Sequence, residues 1–167
     1  MSGTLIIPAL GCGPCEEASA AAPAAPVLLA HDGWYPGVDL TRLRAETRLR
    51  ESVTPERLRD AAVSAMIWIG DQLDDWRIGQ SAAGHGSLAV IPAPQVAGES
   101  RLAILYRQAV GAWAKAQLVE RYRDVDLTAA GDRQVEDLND AIGELRRDAI
   151  HAVRALLGVT RTAVELI

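Results

Sequence analysis

The chain has 167 residues, 49% of them hydrophobic and 23% charged, which suits one compact soluble domain with a sizeable core better than two. Its 22 acidic residues against 17 basic ones leave a formal net charge of -5 and a pI near 5.2, opposite to the positive excess that tight phosphate-backbone binding needs, so a dedicated DNA-binding domain is not expected. With four Trp, three Tyr and no Phe, the core must be built mostly from Ala, Leu, Ile and Val, a composition that favours helices over strands.

No Lys or Arg precedes Arg42, so the charged region of a secretory signal is missing, and no apolar run is long enough to cross a bilayer. The expectation is a protein that folds in a cytoplasm, with no membrane partner. Residues 1–30 are rich in Ala and Pro and lack a periodic apolar pattern, which reads as an extended or flexible arm. Within it Thr4-Leu5-Ile6-Ile7-Pro8 is strand-like, and Leu5, Ile6 and Ile7 are candidates to add to a sheet edge or lie in a groove of another chain.

Trp34-Tyr35-Pro36-Gly37-Val38 reads as an anchoring plug, in which Trp34 and Tyr35 are expected to pack on a helix or on an adjacent subunit. Asp39 then offers an N-cap for a short helix from Leu40 to about Arg50. Thr54 caps a second helix with Pro55 at its first position, where the missing N–H is harmless. From there Leu58, Ala62, Ala65, Ile69, Leu73 and Trp76 recur three and four apart, which keeps them on one face of a helix reaching about Ser81. Residues 82–98 break the pattern with Gly84-His85-Gly86 and Pro92-Ala93-Pro94.

A third helix follows Ser100, with Gly98 or Ser100 as its cap and Leu102, Leu105, Tyr106, Ala109, Val110, Trp113, Leu118 and Tyr122 at helical spacing, and ends near Asp124. The fourth runs from about Asp132 through Val135, Leu138, Ile142, Leu145, Ala149, Val153 and Leu156 and stops at Gly158, the residue type that best tolerates a left-handed closing position. Gly70, Gly111 and Gly143 each interrupt a helix at a cost of roughly 1 kcal/mol relative to alanine, which close helix–helix contacts would explain. After Gly158 the alternation of Val159, Arg161, Ala163 and Glu165 with Thr160, Thr162, Val164 and Leu166 reads as an extended tail. The predicted fold is all-α: an arm over residues 1–30, a bundle of about four helices over 31–157, and a docking tail over 158–167.

Candidate chemistry is sparse. Cys12-Gly13-Pro14-Cys15 is identical to the active-site tetrapeptide of thioredoxins, but that chemistry needs a strand before the motif and a helix after it, whereas here Glu16-Glu17 and an Ala/Pro tract follow. Two adjacent carboxylates would raise a thiol pKa rather than lower it. A thiol oxidoreductase using Cys12 and Cys15 is the alternative reading, and it requires a depressed Cys12 pKa and turnover of disulfides. His31, His85 and His151 are too scattered to complete a zinc site with the two Cys, so no metal or cofactor is expected. Arg42 to Arg59 is the densest positive stretch, but Arg42 with Glu46 and Glu46 with Arg50 stand four apart, the arrangement of a solvated ion-paired face. Duplex binding through this stretch would fall on Arg44→Glu and Arg48→Glu. Asp74-Asp75 and Asp124-Val125-Asp126 lack convergent partners for acid–base work.

The order of features carries more than any one of them. The aromatic-Pro plug, Thr54-Pro55-Glu56-Arg57-Leu58-Arg59, a helix reaching Trp76-Arg77, the segment from Ala82-Ala83-Gly84 to Gly98-Glu99-Ser100, Glu120-Arg121-Tyr122-Arg123, and Glu144-Leu145-Arg146-Arg147-Asp148 together resemble the head completion proteins of peduovirus-type tailed phages, the GpL family. The likeness spans about residues 30–167 and the Thr4–Pro8 patch; the insert from Cys12 to Ala30 lies outside it. It implies a non-enzymatic virion assembly protein at the head–tail junction, assembled in the host cytoplasm, that joins the DNA-filled head and stabilises it. The implied partners are the portal protein, neighbouring copies in a ring of about twelve, and a tail-side neck or tail completion protein, with DNA passing through the channel without being bound specifically. By the same analogy the portal contact falls on the tail, at Val159, Thr160, Arg161, Val164, Leu166 and Ile167.

Overall fold

Local capping and chain-reversing residues set where each element starts and stops. The computed structural model describes residues 27–49, 53–126 and 132–159. It is all-α: helices α1 (Leu40–Thr47), α2 (Pro55–Ala82), α3 (Arg101–Asp126) and α4 (Asp132–Leu156), joined by two minimal antiparallel pairs, β1 (Leu28–Leu29) with β2 (Val38–Asp39) and β3 (Gln95–Val96) with β4 (Glu99–Ser100). The segment expected to break the pattern after α2 thus holds a 3-10 turn at Leu88–Val90 and the second hairpin. That hairpin turns at Ala97 (φ 52°) and Gly98 (φ 80°), the doubly positive geometry that matches strand twist. Strand β1 also places Leu28 and Leu29, read as the end of the arm, in a pairing with β2.

The caps behave as their residue types require. The Asp39 carboxylate accepts from the N–H groups of Thr41 (2.8 Å) and Arg42 (3.3 Å) at the start of α1. This helix ends earlier than expected: Arg48 turns left-handed at φ 48°, a conformation that cannot continue a right-handed helix. The Thr54 hydroxyl accepts from Arg57 N–H at 3.3 Å at the head of α2, with Pro55 at its first position. Ser100 precedes α3 without capping it, because its buried hydroxyl makes no hydrogen bond among the described residues; the Arg101 N–H goes to the Pro94 carbonyl at 3.0 Å. Helices α2 and α4 close alike. At α4, Gly158 (φ 75°) directs its N–H to the Ala155 carbonyl (3.3 Å) and the Val159 N–H to that of Arg154 (2.9 Å), leaving those carbonyls satisfied as the chain reverses.

Helix α3 is the centre of the bundle. Its buried residues Leu102, Tyr106, Ala109, Val110, Ala114 and Leu118 spread over roughly half its circumference at about 100° per residue, so one helix meets several neighbours. It packs most extensively on α4, then on α2, and also touches α1, whereas α2 and α4 barely meet. Where its side chains are described, from Ala141 on, α4 buries a stripe of Ile142, Ala149, Ala152, Val153 and Leu156, and α2 buries Leu58, Ala62, Ala65, Ile69 and Leu73 on the face its spacing predicts. A second seam lies above this core: Trp68 of α2 stacks on Trp113 of α3 (centroids 3.6 Å apart, planes at 8°), and Arg146 of α4 sits 5.8 Å over the Trp113 ring while bonding Glu120 at 2.6 Å.

Of the three interior glycines, only Gly111 marks a close helix contact. A Cβ there would lie 3.3 Å from Leu43 Cδ1 and 3.7 Å from Thr47 Cγ2, so its missing side chain is what lets α1 lie on α3. Gly143 has nothing within 4 Å of such a Cβ, and Gly70 meets only the His31 ring, at 4.0 Å. The expectation of three tight contacts is therefore corrected to one. Two substitutions separate the cases: Gly111→Leu overpacks the α1–α3 contact and destabilises by about 1–3 kcal/mol, whereas Gly143→Ala, in open space on a helix, stabilises by about 0.5–1 kcal/mol. Denaturant midpoints of the two variants against the parent check both signs.

Candidate functional site

The loop between β1 and β2 carries the aromatic plug, and the structure seats it on helices of its own chain. Trp34 and Tyr35 are 6% and 4% exposed, which leaves almost none of either ring for a neighbouring subunit. Tyr35 stacks on Tyr106 of α3 (centroids 5.0 Å, planes at 12°), and Trp34 meets Trp76 of α2 edge-on at 5.9 Å. Trp34 also fastens the segment after α2: its indole N–H donates to the His85 carbonyl (3.4 Å), and its carbonyl accepts from Leu88 N–H (2.8 Å). His85 is therefore held through its backbone.

Asp32 organises the rim of the plug. Its carboxylate accepts from Trp34 N–H (3.1 Å) and Arg77 Nη1 (2.5 Å) and lies 2.7 Å from His31 Nδ1, while the Arg77 guanidinium lies 5.4 Å from the Trp34 centroid and 5.6 Å from that of Tyr35. Burial opposes ionisation of Asp32, but hydrogen bonds from His31, Trp34 and Arg77 and the charge of His31 outweigh it and hold the carboxyl at about 2. Burial pushes the Tyr35 hydroxyl up to about 12, and the Tyr106 hydroxyl further still; neither has a hydrogen-bond partner among the described residues.

The Arg-rich stretch resolves into ion pairs and backbone ties. Arg42 Nε bonds Glu46 at 2.6 Å, as the four-residue spacing predicts, and Nη1 lies 3.6 Å from Glu99 across the bundle, so both carboxylates favour its charged form. Glu99 also pairs with Arg107, and Arg44 donates to the Val53 carbonyl, tying α1 to the start of α2. Arg50 lies outside the described residues.

A groove of about 840 Å³ lies between α1, α3 and α4, bounded by Glu46, Arg101, Leu105, Gln108, His151 and Arg154. Its lip is formed by Gly158 and Val159, the point from which the tail departs. Val159 is 47% exposed, and the residue that would ordinarily cover it at such a helix end is Arg154, itself exposed. Sequence reading did not find this groove, because its residues are contributed by three helices far apart in the chain.

The remaining candidates scatter. Asp74 and Asp75 are exposed on α2 without ion pairs, and among the described residues no group of three or more His, Cys, Asp or Glu converges to hold a metal. No described helix is long and apolar enough to cross a membrane. Leu5, Ile6, Ile7, Cys12, Cys15, Thr160, Arg161, Val164, Leu166 and Ile167 lie outside the described residues.

Residues 29–167 match the family model for the phage head completion protein (GPL). A head completion/stabilization protein of Escherichia phage P2 is 40% identical over 134 residues, covering 80% of this chain and 79% of that protein. No solved structure matches significantly.

The plug makes stability depend on pH at both extremes. Because the Asp32 carboxyl is held near 2 against an ordinary 3.8, its stabilisation is complete above about pH 3.8 and is lost as pH falls through 2; Asp32→Asn should flatten the dependence of melting temperature on pH in that window. Tyr35 works the other way, stabilising fully below its ordinary 10 and losing that contribution as pH rises through 12, so Tyr35→Phe should move alkaline unfolding to higher pH. Circular dichroism melts from pH 2 to 12 read both.

Proposed function

The chain belongs to the phage head completion protein (GPL) family, and from that premise we propose that it forms a ring on the portal once DNA is packaged, stabilises the filled head and provides the surface to which a tail-side neck or tail completion protein attaches. Head completion and stabilisation is the role its family carries; the ring, the portal and the neck are this reading's own additions. The observation that carries it is the family match running through the whole helical region to residue 167, over a chain with a groove that opens where the tail begins.

In this reading the protein sits at the virion neck, having assembled in the host cytoplasm, and acts by contact alone. Gly158 turns the chain out of α4 and leaves Val159 uncovered, which suits a tail that finds its partner on another protein. The portal contact is made by Val159, Thr160, Arg161, Val164, Leu166 and Ile167, whose alternation fits addition to a strand edge or a groove of the portal. Leu5, Ile6 and Ile7 are assigned to a neighbouring copy. The net charge of -5 lets a ring of such subunits repel the DNA in its channel, so that DNA slides without being gripped.

Deleting the residues after Gly158 is the test. Binding to the portal protein of the same genome, read as co-sedimentation of the two, should be lost while the far-ultraviolet spectrum and melting temperature of the protein stay unchanged. Portal binding that survives the deletion would remove the tail from the interface.

A further inference from the structure

Helix α2 buries one face and turns the opposite one to solvent. At about 100° per residue, Ile67, Asp71, Asp74 and Ile78 fall within roughly 60° of one another and directly opposite Leu58, Ala62, Ile69 and Leu73. Ile67 and Ile78 are 60% and 59% exposed, and they flank two exposed aspartates that make no ion pair or hydrogen bond among the described residues. An isoleucine on a helix surface is ordinary by itself. Two in one stripe with unpaired carboxylates between them form an amphipathic ridge suited to a basic, partly apolar seat.

The groove between α1, α3 and α4 is such a seat on the same molecule. It is floored by Leu105, Ala112 and Ala155, and carries Arg101 and Arg154, both exposed and without an ion pair among the described residues. Its other charges are committed or opposed: Arg107 is held by Glu99, Glu46 is held by Arg42, and Asp148 lies on α4 at the wall. Helix α2 contributes no residue to the groove, so ridge and seat are different patches of one surface.

We infer that the occupant of this groove is a second copy of the chain, whose α2 ridge places Ile67 and Ile78 on the apolar floor and Asp71 and Asp74 against Arg101 and Arg154. Two different patches that fit each other make a head-to-tail contact, which closes into a ring when the rotation allows. The inference rests on the ring reading above and supplies the subunit contact that reading needs. The tail leaves from the groove lip at Val159, so a seated neighbour and a portal-bound tail occupy adjoining positions.

The experiment uses the full chain with charges reversed on one patch at a time, in sedimentation velocity with and without the portal protein. Asp71→Arg with Asp74→Arg, and separately Arg101→Glu with Arg154→Glu, should each weaken self-association about tenfold or more. Mixing the two variants should restore it, because each ridge then faces a groove of opposite charge in an alternating ring; thermal melts show that both variants fold. If either variant assembles as well as the parent, or the mixture fails to recover, this interface is wrong while the ring stands. Reversals that spare self-association but weaken portal binding overturn it too, assigning the patch to the portal. If the parent itself never multimerises, even on the portal, the ring reading falls and this contact with it.

Discussion

The described elements of this chain are arranged around the enclosure of α3. Tyr106 is wholly buried there, stacked under Tyr35, and its neighbours Ala109, Val110 and Ala114 are almost as inaccessible. Because α2 and α4 barely touch, they are held in one bundle by a helix they share. That demands small side chains where neighbours close in on α3, which supplies Gly111 under α1 and the almost wholly buried Ala109, Ala114 and Ala116. The aromatic plug completes the enclosure from the remaining side, which explains why a loop carries two large buried aromatic residues.

The plug is also where the charged groups are spent on structure. Asp32, His31 and Arg77 form a lid over Trp34 and Tyr35, and their mutual attraction is strengthened by the partial exclusion of water. Elsewhere the charges stay outside the core, and no polar residue is buried among those described. Among the described residues the exposed large apolar side chains are spread over the surface, at Leu28, Val90, Val96 and Ile150 as well as at Ile67 and Ile78 of α2 and Val159 at the root of the tail.

Much of the fold is legible in the chain. Asp39, Thr54, Pro55 and Gly158 mark helix ends because capping and chain reversal are settled by hydrogen bonds within a few residues, and each acts as its type requires. The narrow stripes of α2 and α4 are legible for a similar reason, since a helix with one buried face repeats its apolar residues at the helical period. The misreadings have a different origin. Ser100 looks like a cap, but the Pro94 carbonyl takes the N–H ahead of it; Gly143 looks like a contact, but nothing approaches it. Both depend on what another segment does.

By itself, then, the sequence determined the helices, the face each of α2 and α4 buries, and the family, because these are written in local hydrogen bonding, periodicity and the order of motifs. Only the tertiary structure decided which helix stands in the middle, that Trp68 meets Trp113 under Arg146, and that residues of α1, α3 and α4 enclose a groove at the root of the tail. The apolar arc of α3 is too wide to point at any single neighbour. Its partners are fixed by side chains interlocking across segments separated by tens of residues, a form of complementarity that no local pattern encodes.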